Sequence, residues 1–388
     1  MQDPHPAKKA RRVATADVQD AASDQQPTTV PLVSLAPSVA NDLSTTQLGS
    51  LFVNSIGVGT LPLGVTYPDA AAVPDRAAIL DLIGQARRAC APRSLFVDTA
   101  DTYCRDGTDL HSLEKVLGDI QDDANTVIGT KAGMARIGTV STSWRPGNTS
   151  AAGVAASITA ACTALGRSTG NDSAPLYLFQ LHHCDGPKVT APGGIEDSLA
   201  GVWPSVAAGR VLHVGICNAT AAILRRAHAA AAAAGHKLAS IQNEYSYWNR
   251  DAEVDLPPGS AASSKKGTLR AAADIGVTFI AYAPLGGLQA RRGARRIEHD
   301  WPAVAAVASS RQRRAEASGS GGGSPCSATA VYLAYLLHRA RRLSGPHGRV
   351  MMIVGARTAA HAAESVEAAA LRLEPAEVDA LDKAWPRK

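Results

Sequence analysis

The chain has 388 residues, of which 45% are hydrophobic and 19% charged, with a formal charge of +5. That is enough apolar content for a large core and argues against global disorder. It shows no run of eighteen apolar residues and no apolar stretch after Met1-Gln2-Asp3-Pro4, so neither a membrane span nor a secretory leader is expected. The cysteines (Cys90, Cys104, Cys162, Cys184, Cys217, Cys326) form no C-x-x-C pair, which points to a reduced, cytoplasmic chain without structural zinc. The excess positive charge is concentrated in residues 291–316, where seven arginines face three acids. No nucleic-acid-binding module accompanies them, so no nucleic-acid partner is expected. Such a segment is either a solvated loop or a face for a phosphate-bearing cofactor.

Residues 1–44, rich in Ala, Gln, Ser, Asp and Pro without sustained apolar periodicity, read as a disordered tail. Within it, Lys8-Lys9-Ala10-Arg11-Arg12 is a short basic run of the kind found in import signals, a pattern that also arises by chance. From residue 45 to the end, short β-branched or apolar runs recur at Val53–Val58, Leu95–Asp98, Thr126–Thr130, Leu176–Leu181, Val211–Ile216, Leu238–Gln242, Val277–Ala281 and Met351–Val354. Helically spaced segments lie between most of them, at Asp75–Cys90, Ala151–Leu165, Ala219–Ala234, Thr268–Asp274 and Ala328–Arg341. Alternation of this kind predicts an α/β fold with a parallel sheet, and eight strands are the number that closes a TIM barrel. No Gly-x-Gly-x-x-Gly opens the first unit, which argues against a Rossmann fold. The ends of the connection Gly286–Pro325 read as loop.

In such a barrel the chemistry gathers where the strands end at their carboxyl termini. The second strand ends in Asp98-Thr99-Ala100-Asp101-Thr102-Tyr103, the third in Thr130-Lys131 and the fourth in Leu181-His182-His183. Asp, Tyr, Lys and His from three successive strands make a coherent proton-transfer set. A phenol with a pKa near 10 is a poor acid at neutral pH, and an adjacent ammonium favours its ionised form. A carboxylate can hold that ammonium, and a neutral imidazole can orient a substrate carbonyl.

These strings resemble the aldo-keto reductase family. So, in the family's order, do Val214-Gly215-Ile216-Cys217-Asn218, Gln242-Asn243-Glu244-Tyr245-Ser246, Ala281-Tyr282-Ala283-Pro284-Leu285-Gly286 and Gly355-Ala356-Arg357. The resemblance covers about residues 45–385 and rests on seven ordered motifs, each after a predicted strand. It implies Tyr103 as general acid and base, Lys131 lowering its pKa, Asp98 pairing with Lys131, and His182 positioning the substrate. It implies a nicotinamide cofactor, NADP(H) or alternatively NAD(H), near Gly59 and Thr60 and held at its carboxamide by Cys217, Asn218 and Gln242. Tyr282 would stack on the ring, and Pro284, Leu285 and Gly286 would approach the pyrophosphate. Gly355, Ala356, Arg357, His361, Glu364 and Ser365 would surround the adenosine end. Cys217 stands where the family has serine, and a thiol is the weaker hydrogen-bond partner. His361 and Ser365 also depart from the family's pattern, whereas Arg357 keeps a fork suited to a 2′-phosphate.

The implied partner is a small carbonyl or sugar substrate. Trp144-Arg145-Pro146, Tyr245 and Trp248 are candidates for its pocket, with plain packing as the equal alternative for the aromatics. A cofactor-binding regulator with little turnover is the competing function, but that class could lose a catalytic residue, and this chain retains the whole set.

Overall fold

The computed structural model describes residues 44–65, 73–104, 109–120, 125–136, 144–167, 174–184, 193–253, 267–287, 295–318, 326–345 and 347–386. The predicted tail, its basic run, Arg291 and Arg292 lie outside them, apart from Ser44 at the tail's end.

Thr45–Leu48 (β1) and Leu51–Asn54 (β2) form an antiparallel hairpin, and Ile56–Gly59 (β3) follows after one residue. Leu95–Asp98 (β4), Thr126–Ala132 (β5), Met134–Arg136 (β6), Trp144–Pro146 (β7), Leu176–Leu181 (β8), Val211–Cys217 (β9), Leu238–Glu244 (β10), Thr278–Tyr282 (β11) and Arg349–Gly355 (β12) complete the strands. Eight of them close a parallel barrel in the order β10-β11-β12-β3-β4-β5-β8-β9. Most are short apolar runs, and all are buried over most of their length, as a helix-covered parallel sheet requires.

The run read as one strand, Val53–Val58, is two. Its start belongs to the hairpin and its end to the barrel, with Ser55 at the corner. There Ser55 N–H donates to the Ser44 carbonyl (2.8 Å), and its carbonyl accepts Met352 N–H (2.9 Å). The hairpin closes the amino-terminal end of the barrel. Thr46 Oγ1 bonds the Val350 carbonyl (2.8 Å), the Tyr177 hydroxyl bonds Leu48 O, and Leu48 packs inside with Phe96, Val127, Leu178, Ile280 and Met351.

The five predicted helices form at Arg76–Cys90, Ala151–Ala164, Ala221–Ala233, Thr268–Ile275 and Ala328–Ser344. Four of them have side-chain N-caps, from Asp75, Ser150, Thr220 and Ser327, each contributing about 1 kcal/mol. Their apolar stripes pack on the outside of the barrel, so one hydrophobic layer lies within the strands and a second between strands and helices. The connection after β11 is less loop-like than its composition implies, because Ile297–Asp300 and Pro302–Ala317 are helical. Arg311 and Arg314 of this segment both pair with Glu377 on the helix Pro375–Ala384, so these two arginines serve packing between helices.

Candidate active site

A strand's side chains alternate between its two faces, so the inward positions of each barrel strand climb in steps of two toward the carboxyl end. Phe96 lies in the apolar interior, and the next inward residue is Asp98. By the same step Val127 leads through Gly129 to Lys131, Leu178 to Gln180, and Ile280 to Tyr282. Apolar residues thus fill the floor and polar ones collect at the top.

At that end lies a fully buried knot. Lys131 Nζ donates to Asp98 Oδ2 (2.5 Å) and to the Thr99 carbonyl (2.7 Å), with both side chains at most 2% exposed. Gln242 Nε2 donates to Asp98 Oδ1 (2.8 Å). β10 and β4 stand on opposite sides of the closed strand order, so this last bond spans the barrel lumen. Gln242 was expected at a carboxamide, and its bond to Asp98 is a contact that motif order alone did not reveal.

The knot has Tyr103 above it. The Lys131 ammonium sits 5.1 Å from the centre of the Tyr103 ring, and the His182 ring meets Tyr103 edge to face with centroids 5.9 Å apart. Asp98, Tyr103, Lys131 and His182 are therefore brought together. Burial, reinforced by the Lys131 charge and by His183, holds the His182 imidazole well below its ordinary pKa, so it is neutral at physiological pH. Of the two adjacent histidines, His182 is the one that faces Tyr103.

Asn218 follows β9 in a left-handed conformation (φ 54°), which asparagine tolerates better than most residues. Its Nδ2 donates to the His182 carbonyl (2.9 Å), and its Oδ1 accepts the Tyr282 hydroxyl (2.9 Å). Cys217, beside it, is buried. Burial, aided by the nearby Glu244, drives the Tyr282 pKa upward, so the phenol stays protonated and donates. Beyond Tyr282 the chain turns through Ala283 (φ 52°), Gly286 (φ 84°) and Gly287 (φ 57°). A Cβ on Gly286 would lie 2.9 Å from the Trp248 ring, so the glycine lets the loop lie flat against it. Buried Tyr332 donates to the Pro284 carbonyl (2.7 Å) and accepts Tyr247 N–H (2.9 Å), fixing the same loop from behind.

Gly59 ends β3, and Thr60 follows it with its hydroxyl on the Asp98 carbonyl (2.8 Å). Gly355 ends β12, and Ala356 and Arg357 lead to the helix Ala359–Glu367. That helix carries an exposed His361, a half-buried Glu364 and a buried Ser365. Its first turn is capped by Thr358, whose side chain accepts His361 N–H. Of the suggested pocket aromatics, Tyr245 is core: it is fully buried, and its hydroxyl bonds Glu253 (2.7 Å). Trp248 packs on the Gly286 loop. β7, the strand of Trp144, pairs with β6 just past the end of β5.

Two further carboxyls lie against the Tyr103 loop and were not singled out from the sequence. Asp101 is buried, and burial followed by the Glu114 charge pushes its pKa up to about 8. Glu114 is completely buried and bonds Thr130 Oγ1 and His111 Nδ1. Burial opposes the charged form of His111, but the hydrogen bond and charge of Glu114 prevail and raise its pKa. Asp101 lies within the strand-end string Asp98–Tyr103 but holds none of the roles that string implies, and Glu114 lies outside every such string, so no local pattern marked either as functional. Among the described residues no helix is long and apolar enough to cross a membrane, and no cluster of potential metal ligands occurs.

Residues 55–386 match the family model described as the aldo/keto reductase family. Among solved structures, the chain is similar to an aldo-keto reductase from Klebsiella pneumoniae in complex with NADPH, at 19% identity and TM-score 0.60, over 89% of this chain and 96% of that one. A structure of an aldo/keto reductase from Klebsiella pneumoniae in complex with NADP and acetate is 18% identical at TM-score 0.61, with 89% and 96% covered. A glycerol dehydrogenase from Gluconobacter oxydans is 16% identical at TM-score 0.61, with 88% and 95% covered. At these identities the structural likeness is one of fold.

Proposed function

The chain belongs to the aldo-keto reductase family, and we propose that it is an NADP(H)-dependent oxidoreductase acting on small aldehydes, ketones or sugar hemiacetals. The observation that carries this reading is the buried Lys131–Asp98–Gln242 knot beneath Tyr103, with neutral His182 beside it. Burying an ion pair in a barrel core is costly and rarely the best route to stability. At the carboxyl end of the strands, the pair is suited to controlling a phenol.

The residues present fit a nicotinamide dinucleotide. Tyr282 offers a flat, half-buried ring beside the Asn218 amide, and the turn at Gly286 and Gly287 carries no side chain where phosphates need close approach. The start of the helix Ala359–Glu367 combines a positive dipole end with Arg357 just before it, a setting for the adenosine phosphate. The NADPH and NADP in the two Klebsiella structures support the same choice. Bound there, the reduced cofactor supplies a hydride for a carbonyl carbon.

This chain's own part is proton management. Tyr103 donates its hydroxyl proton to the developing alkoxide oxygen in reduction and recovers it in oxidation. The Lys131 ammonium stabilises the phenolate left behind, and Asp98 keeps that ammonium aimed. His182, neutral, donates a hydrogen bond that orients the carbonyl without competing for the proton. The Asn218 side chain, tied to both Tyr282 and the His182 backbone, links the cofactor position to the substrate position.

The test is Tyr103→Phe, with NADPH binding followed by tryptophan fluorescence and reduction of 4-nitrobenzaldehyde and glyceraldehyde followed at the nicotinamide absorbance. Retained binding with turnover reduced by roughly a thousandfold or more is expected for a group acting in the transition state. Unchanged turnover overturns the assignment of Tyr103. NADPH binding with no turnover in the wild-type chain favours the regulatory alternative.

A further inference from the structure

The proton-transfer scheme leaves Glu114 without a task, yet a fully buried carboxyl is expensive unless its bonds are worth the desolvation. Those bonds close a circuit. Glu114 Oε1 accepts the hydroxyl of Thr130, the residue before Lys131, and Oε2 accepts His111 Nδ1. The His111 backbone N–H donates to the Asp101 carbonyl (2.8 Å), and Asp101 N–H donates to the Lys131 carbonyl (3.0 Å). From Asp101 the chain reaches Tyr103 in two residues. The circuit Lys131–Thr130–Glu114–His111–Asp101 thus joins the strand bearing the ammonium to the loop bearing the phenol. His111 is held in a left-handed conformation (φ 67°) to complete it. For a non-glycine residue that is a strained state, which persists only where the surroundings enforce it.

We propose that Glu114, with His111, is a positioning pair that sets the approach of the Lys131 ammonium to the Tyr103 hydroxyl. The proposal rests on the reading of Tyr103 as the acid and base. Glu114 touches neither substrate nor cofactor in this scheme and acts through Thr130 and His111. Among the described residues, the charged and titratable groups around Tyr103 are Lys131 and Asp98 from β5 and β4, His182 just after β8, Tyr282 from β11, and Asp101, His111 and Glu114 behind its own loop. Of these, Glu114 and His111 can be changed without removing a group that directly faces the phenol.

Glu114→Gln preserves shape and removes the charge, and Thr130→Val removes the hydroxyl donor. His111→Asn keeps a side-chain donor at a residue type that tolerates left-handed backbone. Tyr103 ionisation is followed by NMR of the full chain labelled at tyrosine Cζ, with Tyr103→Phe for assignment. Loosening the circuit by about 1 Å should raise the Tyr103 midpoint by about 0.4 pH units in Glu114→Gln and Thr130→Val. Turnover of 4-nitrobenzaldehyde with NADPH should fall about fivefold or more, with NADPH affinity changed less than about twofold, the change expected when a group contacts no cofactor. His111→Asn, which keeps the donor to Glu114, should shift midpoint and turnover in the same direction but by less than Glu114→Gln does. If Glu114→Gln does not fold, Thr130→Val decides on the same criteria. Folded variants whose Tyr103 midpoint and turnover match wild type overturn the proposal, as does a loss of thermal stability with an unmoved midpoint. Turnover surviving in Tyr103→Phe would sink the underlying reading instead, so the two failures are distinguishable.

Discussion

Replacing Lys131 by methionine separates what the buried knot does for stability from what it does for turnover. The ammonium lies 2.5 Å from Asp98 Oδ2, and both side chains are at most 2% exposed. Its removal strands the Asp98 carboxyl, and breaking a buried pair in this way costs about 3–5 kcal/mol. The same ammonium sits 5.1 Å from the Tyr103 ring centre. At an effective dielectric of about 20, a charge at that separation is worth roughly 3 kcal/mol to the phenolate. Lys131→Met should therefore be both unstable and at least about a hundredfold slower. Adding Asp98→Asn removes the stranded charge while leaving an oxygen for Gln242 Nε2, now 2.8 Å from Asp98 Oδ1. The double variant should regain most of the lost stability, short of about 1 kcal/mol for the new amide donor, and none of the turnover. Urea unfolding and steady-state reduction of 4-nitrobenzaldehyde read the two quantities. A single variant that loses less than about 1 kcal/mol, against the expectation for a buried pair, refutes the electrostatic account of the knot. A double variant with restored turnover refutes the catalytic one.

Tyr282→Phe keeps the ring and removes the hydroxyl that holds Asn218 Oδ1 at 2.9 Å. Loss of one hydrogen bond, about 1 kcal/mol, should weaken NADPH binding by about fivefold in a fluorescence titration, and an unchanged affinity would show that the hydroxyl does not orient Asn218. Asp101, with its native pKa pushed up to about 8, stays protonated where the unfolded chain has already released the proton. Between about pH 4 and pH 8 the native state thus binds more protons, and this group lowers stability as pH rises. Asp101→Asn should flatten that decline in urea unfolding at pH 5 and pH 8, and a parallel decline in the variant would remove Asp101 as its source. At Gly64 an added Cβ would lie 2.5 Å from the Tyr103 carbonyl oxygen. Gly64→Ala should displace the Tyr103 loop, costing about 1–3 kcal/mol and slowing turnover by about tenfold or more. A fully active, fully stable variant would mean that the loop yields freely.

Much of this was legible in the chain itself. The eight barrel strands are short apolar runs, and the helices between them carry their own caps and stripes. Both signals are local, set by φ/ψ preference and by periods of two and 3.6 residues. The strand-end strings containing Asp98, Tyr103, Lys131 and His182 were readable for the same reason: a barrel delivers the ends of all its strands to one face. What only the tertiary structure decided are pairings between distant positions. Gln242 meets Asp98 across 144 residues because barrel closure and register place β10 opposite β4. Val53–Val58 divides at Ser55 because its two halves find different partners. Tyr245 is core because its hydroxyl finds Glu253, and Arg311 and Arg314 pair between helices because Glu377 lies within their reach. Glu114 gave no local signal because its importance lies in bonds to Thr130 and His111, which form only once helix and strand have packed. Periodicity reports which face of an element is buried, whereas a buried polar group's partner is chosen by the three-dimensional register of the elements around it.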